Sequence, residues 1–178
     1  MKMSKTLKQT LIFAVLMLVG GWIGQPTAFG YLHAADIFIL MAAIVLPAPY
    51  AAAAAGVSGA LADLLKGYWG LSPYTLVIKV CMVLMGKLLL KMPIAKEHPE
   101  IAVAPAALVP VAGYYLYAFF FNLFTGGGLA SFGLAAATLQ KDLLQAAASV
   151  LLAVFIYDIY MGIRAAKETL KETEKEDS

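Results

Sequence analysis

Asp63 and Lys79 stand in a run, Ala51 to Met85, that is otherwise uncharged apart from Lys66. A carboxylate and an ammonium in such surroundings can form an ion pair or bind a polar ligand, provided they face protein and not lipid. If Ala51 to Leu65 is a helix, then Ala52, Gly56 and Gly59 share the face of Asp63, and so narrow a face lets a neighbouring helix approach closely. The alternative is that Asp63 is a wetted helix-end carboxylate, because Lys66, Gly67 and Tyr68 follow it at once. Lys79 can snorkel back to the surface or pair with Asp63 or Asp142. A second polar set, Thr138, Asp142, Gln145 and Ser149, recurs at spacings of four, three and four along one face of an apolar helix. An unpaired polar group in hydrocarbon costs roughly 2 to 7 kcal/mol, so this stripe must face other helices or a wet cavity. The chemistry indicated is binding. No HExxH, GxSxG or Cys/His constellation is present, and the single cysteine, Cys81, lies in an apolar run as a packing residue. The expectation is a protein that is not an enzyme and has neither metal nor cofactor.

The elements that must hold these residues follow from composition. Of 178 residues, 62% are hydrophobic and 13% charged, more apolar side chains than one short soluble core could bury. An all-α integral membrane protein is therefore expected. It reads as a single six-transmembrane-helix domain, 1–178, with helices at about 10–24, 36–46, 50–65, 73–91, 104–124 and 138–163 and a charged tail at 164–178. The lysine-flanked first apolar run lacks a convincing cleavage site and reads as a retained helix, not a signal peptide. Residues 25–35 read as a loop. His33 is there a solvated histidine or a ligand contact, and Asp36 caps the second helix or meets the ligand. Pro47-Ala48-Pro49 turns the second helix straight into the third, and Pro73 opens the fourth. Residues 92–103, with their mixed charge, read as a solvated connection. The aromatic run Tyr114 to Phe121 reads as packing or lipid surface, and Gly126-Gly127-Gly128 ends that helix as a loop without a phosphate-binding context. Lys2, Lys5, Lys8, Lys91, Lys96, Arg164, Lys167, Lys171 and Lys175 then share one side, which assigns both termini to the cytoplasm. His33, Asp36, Asp63, Lys66, Lys79, Asn122, Asp142 and Gln145 fall in the outer half, beneath the outer loops, where a pocket would open to the exterior. The small net charge of +2 and the lack of a basic patch argue against nucleic acid as a partner.

Several runs also resemble a known family. Gly30-Tyr31-Leu32-His33-Ala34-Ala35-Asp36, Gly59 to Tyr68, Ser72 to Lys79, Gly113 to Tyr117 and Leu143-Leu144-Gln145 occur in an order and spacing similar to the substrate-binding S components of energy-coupling factor (ECF) vitamin transporters. The resemblance is closest to the branch associated with hydroxymethylpyrimidine, the thiamine precursor. It implies a multi-pass protein of the bacterial or archaeal plasma membrane that captures a vitamin or precursor outside and delivers it by toppling in the bilayer. The implied partners are a membrane coupling subunit, met by Thr10 and Ala14 on helix one, and two ATPases. The expected substrate contacts are Tyr31, His33, Asp36, Asp63, Tyr68, Trp69, Lys79, Tyr114, Asn122, Asp142 and Gln145. Among them Asp142 and Gln145 would read the edge of a heteroaromatic ring while Tyr68, Trp69 or Tyr114 stacks on its face. Another S-component ligand, such as pyridoxine or riboflavin, is the nearest alternative. A self-assembling channel or scaffold is the alternative of a different class, since it too would explain small-residue helix faces.

Overall fold

A computed structural model describes residues 3–27, 30–128 and 130–176. Lys2 and the last two residues of the tail lie outside the described residues. The side chains of Tyr31, Lys171 and Lys175 do so as well. The chain is a helical bundle with one short hairpin: α1 (Lys5–Trp22), β1 (Gly24–Thr27), β2 (Gly30–His33), α2 (Ala35–Val45), α3 (Ala48–Leu65), α4 (Ser72–Leu89), α5 (Pro99–Ala102), α6 (Leu108–Asn122) and α7 (Ala130–Glu176). Four stretches among the described residues, Ala48–Leu65, Ser72–Leu89, Pro99–Gly127 and Ala130–Leu170, are long and apolar enough to cross a membrane. The apolar helix Ala35–Val45 is shorter.

The boundaries differ from expectation in ways that local chemistry explains. Helix α1 starts at Lys5, five residues early, because the Ser4 hydroxyl accepts the Leu7 N–H and caps it. The segment expected to be a loop after it is instead an antiparallel hairpin, with Gly24 opposite His33 and Pro26 opposite Tyr31. The expected solvated connection at 92–103 is partly core. It coils through short helical turns that bury Glu100, Ala102 and Val103, and Glu100 lies 3.2 Å from the His98 ring. The expected charged tail continues α7 as helix, with Arg164 and Glu168 paired one turn apart at 3.0 Å.

The core forms where α2 is enclosed by its neighbours. Met17, Ile39, Leu40, Leu46, Met82, Val83 and Val103 are its largest fully buried apolar side chains. Helices α3 and α4 pack most closely, as the small face of α3 anticipates. A Cβ on Gly59 would lie 3.1 Å from both Lys79 Cγ and Thr75 Cγ2, so glycine there lets the Lys79 stem lie flat against α3. Gly67, with φ of 82°, ends α3 in a left-handed turn that releases the chain toward Tyr68.

The face of α1 that carries Thr10 and Ala14 is used inside the bundle. Thr10 is buried with its hydroxyl donating to the Thr6 carbonyl, and Ala14 packs on the core while its carbonyl accepts from the Ser58 hydroxyl of α3 at 2.9 Å. The expected contact of these two residues with a coupling subunit would therefore share this face with the packing of α1 on α3. The outward ridge of α1 is Leu11, Ile12, Val15 and Val19.

Candidate functional site

The hairpin, the C-terminal end of α3, the start of α2 and the middle of α6 and α7 surround a cavity of about 260 Å³. Its polar lining includes His33, Asp36, Asp63, Lys66, Tyr68, Tyr114, Lys141, Asp142 and Gln145. Seven residues expected from the sequence thus meet at one place: His33, Asp36, Asp63, Tyr68, Tyr114, Asp142 and Gln145.

Below the cavity, Lys79 is buried and pairs with Asp36 at 2.5 Å. Its partner is neither Asp63 nor Asp142. Asp36 lies in the first turn of α2, two residues past an N-cap, Ala34, that makes no side-chain cap bond, so its carboxylate is aimed across at α4 and not at its own helix end. The expected capping and snorkelling roles are both replaced by this pair. Two buried charges are tolerated because each neutralises the other, and removing one partner of such a pair typically costs about 3–5 kcal/mol. Lys79 lies 5.5 Å from the centroid of the Tyr114 ring and Lys141 lies 6.0 Å from it. The ring is thus a site of cation–π contact, and its hydroxyl donates to Thr75 at 3.3 Å.

Gln145 lines the cavity and also has a structural task. Its side-chain oxygen accepts the His33 backbone N–H at 2.9 Å, and its amide nitrogen donates to the His33 carbonyl at 2.5 Å and to Ser149 at 3.0 Å. Both amide hydrogens are thereby engaged, and Gln145 ties strand β2 to α7. Asp142 keeps one oxygen on Lys141 at 2.7 Å, while its Oδ2 is buried and meets no partner. Oδ2 of Asp63 and Nδ1 of His33 are in the same condition. Burial, which penalises the charged imidazolium, pushes the His33 pKa down to about 4. Asp36 opposes that shift, and the lysines at 79, 66 and 141 add to it.

Three expected contacts are not brought to the cavity. Trp69 is 72% exposed beyond the end of α3 and is not in the cavity wall. Asn122 turns back to donate to the Ala118 carbonyl of its own helix at 2.7 Å. Lys79 lies beneath the wall, held by Asp36. Tyr31 pairs with Pro26 through the backbone, and its side chain lies outside the described residues. Lys141 and Tyr117 line the cavity without having been expected there, and Lys66, expected in the outer half but not as a contact, lines it too while its ammonium donates to the Gly21 carbonyl at 2.7 Å. A signal for Lys141 existed, since it lies three residues after Thr138 on the same helix. Among the described residues, no group of three or more His, Cys, Asp or Glu side chains is arranged to hold a metal ion.

Residues 2–161 match the family described as "ECF-type riboflavin transporter, S component". No curated protein matches the chain.

Proposed function

Because the chain belongs to the ECF-type riboflavin transporter S-component family, we propose that it captures hydroxymethylpyrimidine or a thiamine-related compound in the cavity beneath the hairpin and delivers it through an ATP-driven coupling module. Members of this family are substrate-binding subunits of vitamin transporters, so the chain is a multi-pass membrane protein of vitamin uptake and not an enzyme. The observation that carries the binding role is the cavity itself, with two buried carboxylate oxygens, on Asp63 and Asp142, that no protein group satisfies. Such groups are costly to bury unpaired and point to a ligand donor or an ordered water.

Riboflavin is the second reading, favoured by the description of the matching family. The proposed partners are a membrane coupling subunit and two ATPases, in the plasma membrane of a bacterium or archaeon. The proposed topology has six crossings, α1, α2, α3, α4, α6 and α7, with both termini in the cytoplasm. Lys5, Lys8, Lys91, Lys96, Arg164 and Lys167 all fall on the inner side in that arrangement.

Native mass spectrometry of protein purified from cells tests the ligand, and uptake into proteoliposomes carrying the coupling module tests delivery. A retained pyrimidine and ATP-dependent accumulation are expected. Absence of any saturable vitamin binding overturns the proposal, and retention of riboflavin selects the second reading.

A further inference from the structure

Tyr117 lines the cavity beneath the hairpin and also lines a second, larger space of about 810 Å³ between α4 and α6. The second space is an apolar groove. Its floor forms where α6 closes on α4: a Cβ on Gly113 would lie 2.7 Å from Ile78 Cγ1, so the missing side chain is what lets the buried Ile78 sit there. The walls are Tyr74 and Val77 of α4 and Leu116, Phe120 and Phe121 of α6. The Tyr117 ring lies 4.7 Å from that of Tyr74 and 5.8 Å from that of Phe121, centroid to centroid, and these contacts stiffen the wall. No charged side chain lines the groove among the described residues, and the Thr125 hydroxyl at its end is already given to the Phe121 and Asn122 carbonyls. The groove therefore offers an occupant apolar surface and little hydrogen bonding.

Both walls belong to stretches long and apolar enough to cross a membrane, and Val77, Leu116 and Phe120 are exposed on them. The groove is thus continuous with the surface that a multi-pass protein presents to the bilayer. In hydrocarbon no water fills such a space, and rings left without neighbours on one side forfeit their dispersion contacts. From Gly113 to Phe121 the α6 wall runs about 12 Å at 1.5 Å per residue, within one leaflet of a hydrocarbon core of about 30 Å. Over that length the volume corresponds to a mean cross-section of about 70 Å², smaller than that of a helix about 10–12 Å across. Acyl chains enter where a partner's helix could only lie over the top. We propose that this groove is a binding site for the acyl chain of a membrane phospholipid, separate from the cavity beneath the hairpin and sharing with it the Tyr117 wall.

Photolabelling of the purified full-length protein in detergent tests this, with a phosphatidylglycerol that carries a diazirine at mid-chain as the probe. Adducts should concentrate in residues 70–78 and 113–125 and fall at least about ten-fold when unlabelled phosphatidylglycerol is in excess, as mass action requires of a saturable site. Adducts equally dense at Leu151 and Phe155, on the exposed apolar face of α7, overturn the proposal, and so does labelling that excess lipid leaves unchanged. Native mass spectrometry gives a second readout. The parent should keep a phospholipid through delipidation, and so should Leu151→Trp, which lies outside the groove. Val77→Trp fills the groove and should keep at least about ten-fold less, because the methylenes of the acyl chain lose their place of burial. Equal retention by Val77→Trp overturns the proposal, and a dimer of the chain that Val77→Trp dissociates names a second copy as the occupant instead. The photolabelling is read on the unaltered protein, so it gives an answer even where Val77→Trp fails to fold. Neither readout depends on which vitamin the cavity beneath the hairpin takes.

Discussion

The Asp36–Lys79 pair shows how one side chain can be rightly suspected and wrongly partnered. A lysine inside an apolar helix had to have a partner or an escape to water, and both ideas could be read from its surroundings in sequence. What could not be read was that α2 would bring Asp36 opposite it, because that pairing spans 43 residues and depends on how α2 and α4 cross. Lys79→Met leaves Asp36 buried and uncompensated, so thermal unfolding in detergent should show a loss of about 3–5 kcal/mol. The double variant Lys79→Met with Asp36→Leu should recover most of it, and a double variant as unstable as the single one would argue against the pair as the cause. His33 makes a second case. Its folded pKa of about 4 lies below the ordinary 6.5, so the unfolded chain takes up a proton first as pH falls. Stability is therefore complete above pH 6.5 and declines progressively between 6.5 and about 4. Unfolding measured across that range should slope less in His33→Gln than in the parent, and identical slopes would remove His33 as the titrating group.

At the scale of elements, the six longer helices were legible, because long apolar runs punctuated by Pro and Gly leave few other choices, whereas α5 and the helical extension of α7 lie outside such runs. The hairpin was not. Its strands are four residues each, carry no alternating pattern, and are held by a side chain from α7 more than 100 residues away. Gln145→Ala removes three hydrogen bonds in one step, and hydrogen exchange at Gly24–Thr27 and Gly30–His33 should accelerate at least about five-fold, since each bond contributes roughly 1 kcal/mol. Unchanged exchange there would mean that the hairpin is fixed by other contacts. The face of α1 is ambiguous for a related reason: small residues at helical spacing signal close packing but do not say against what. Since Thr10 and Ala14 pack inward, Thr10→Trp should lower thermal stability and ligand binding together. A variant that binds normally and fails only in uptake would restore the coupling role to this face.

For the whole molecule, the proposed topology puts Lys5, Lys8, Lys91, Lys96, Arg164 and Lys167 at the end away from the cavity, while Lys66 and Lys141 line the cavity itself. In the proposed orientation a cysteine at Gly127 is labelled from outside and one at Glu97 from inside, and the reverse pattern would invert the topology. At 1.5 Å per residue the 47 residues of α7 extend about 70 Å, more than twice a hydrocarbon core of about 30 Å, so the helix must project well beyond the bilayer. The polar stripe of α7 was legible as a cavity wall because hydrocarbon forbids any other placement for Asp142. Its division of labour, with Gln145 bound to backbone and Asp142 left open, depends on the hairpin and could not be read from α7 alone.

The buried ion pair also has a history in biosynthesis. A charged residue at the centre of a membrane helix opposes insertion by about 2.5–3.5 kcal/mol; Asp36, in the first turn of α2, costs less than that, but in the proposed topology an 11-residue α2 has little apolar length with which to offset it. Lys79 emerges from the ribosome 43 residues later, about 2 to 9 s at 5–20 residues per second. During that interval α2 carries an unmatched carboxylate, so its stable residence in the bilayer waits for α4. In the proposed topology the two helices would then commit to the membrane together, with α3 as the tether that limits how far they can drift apart before they meet.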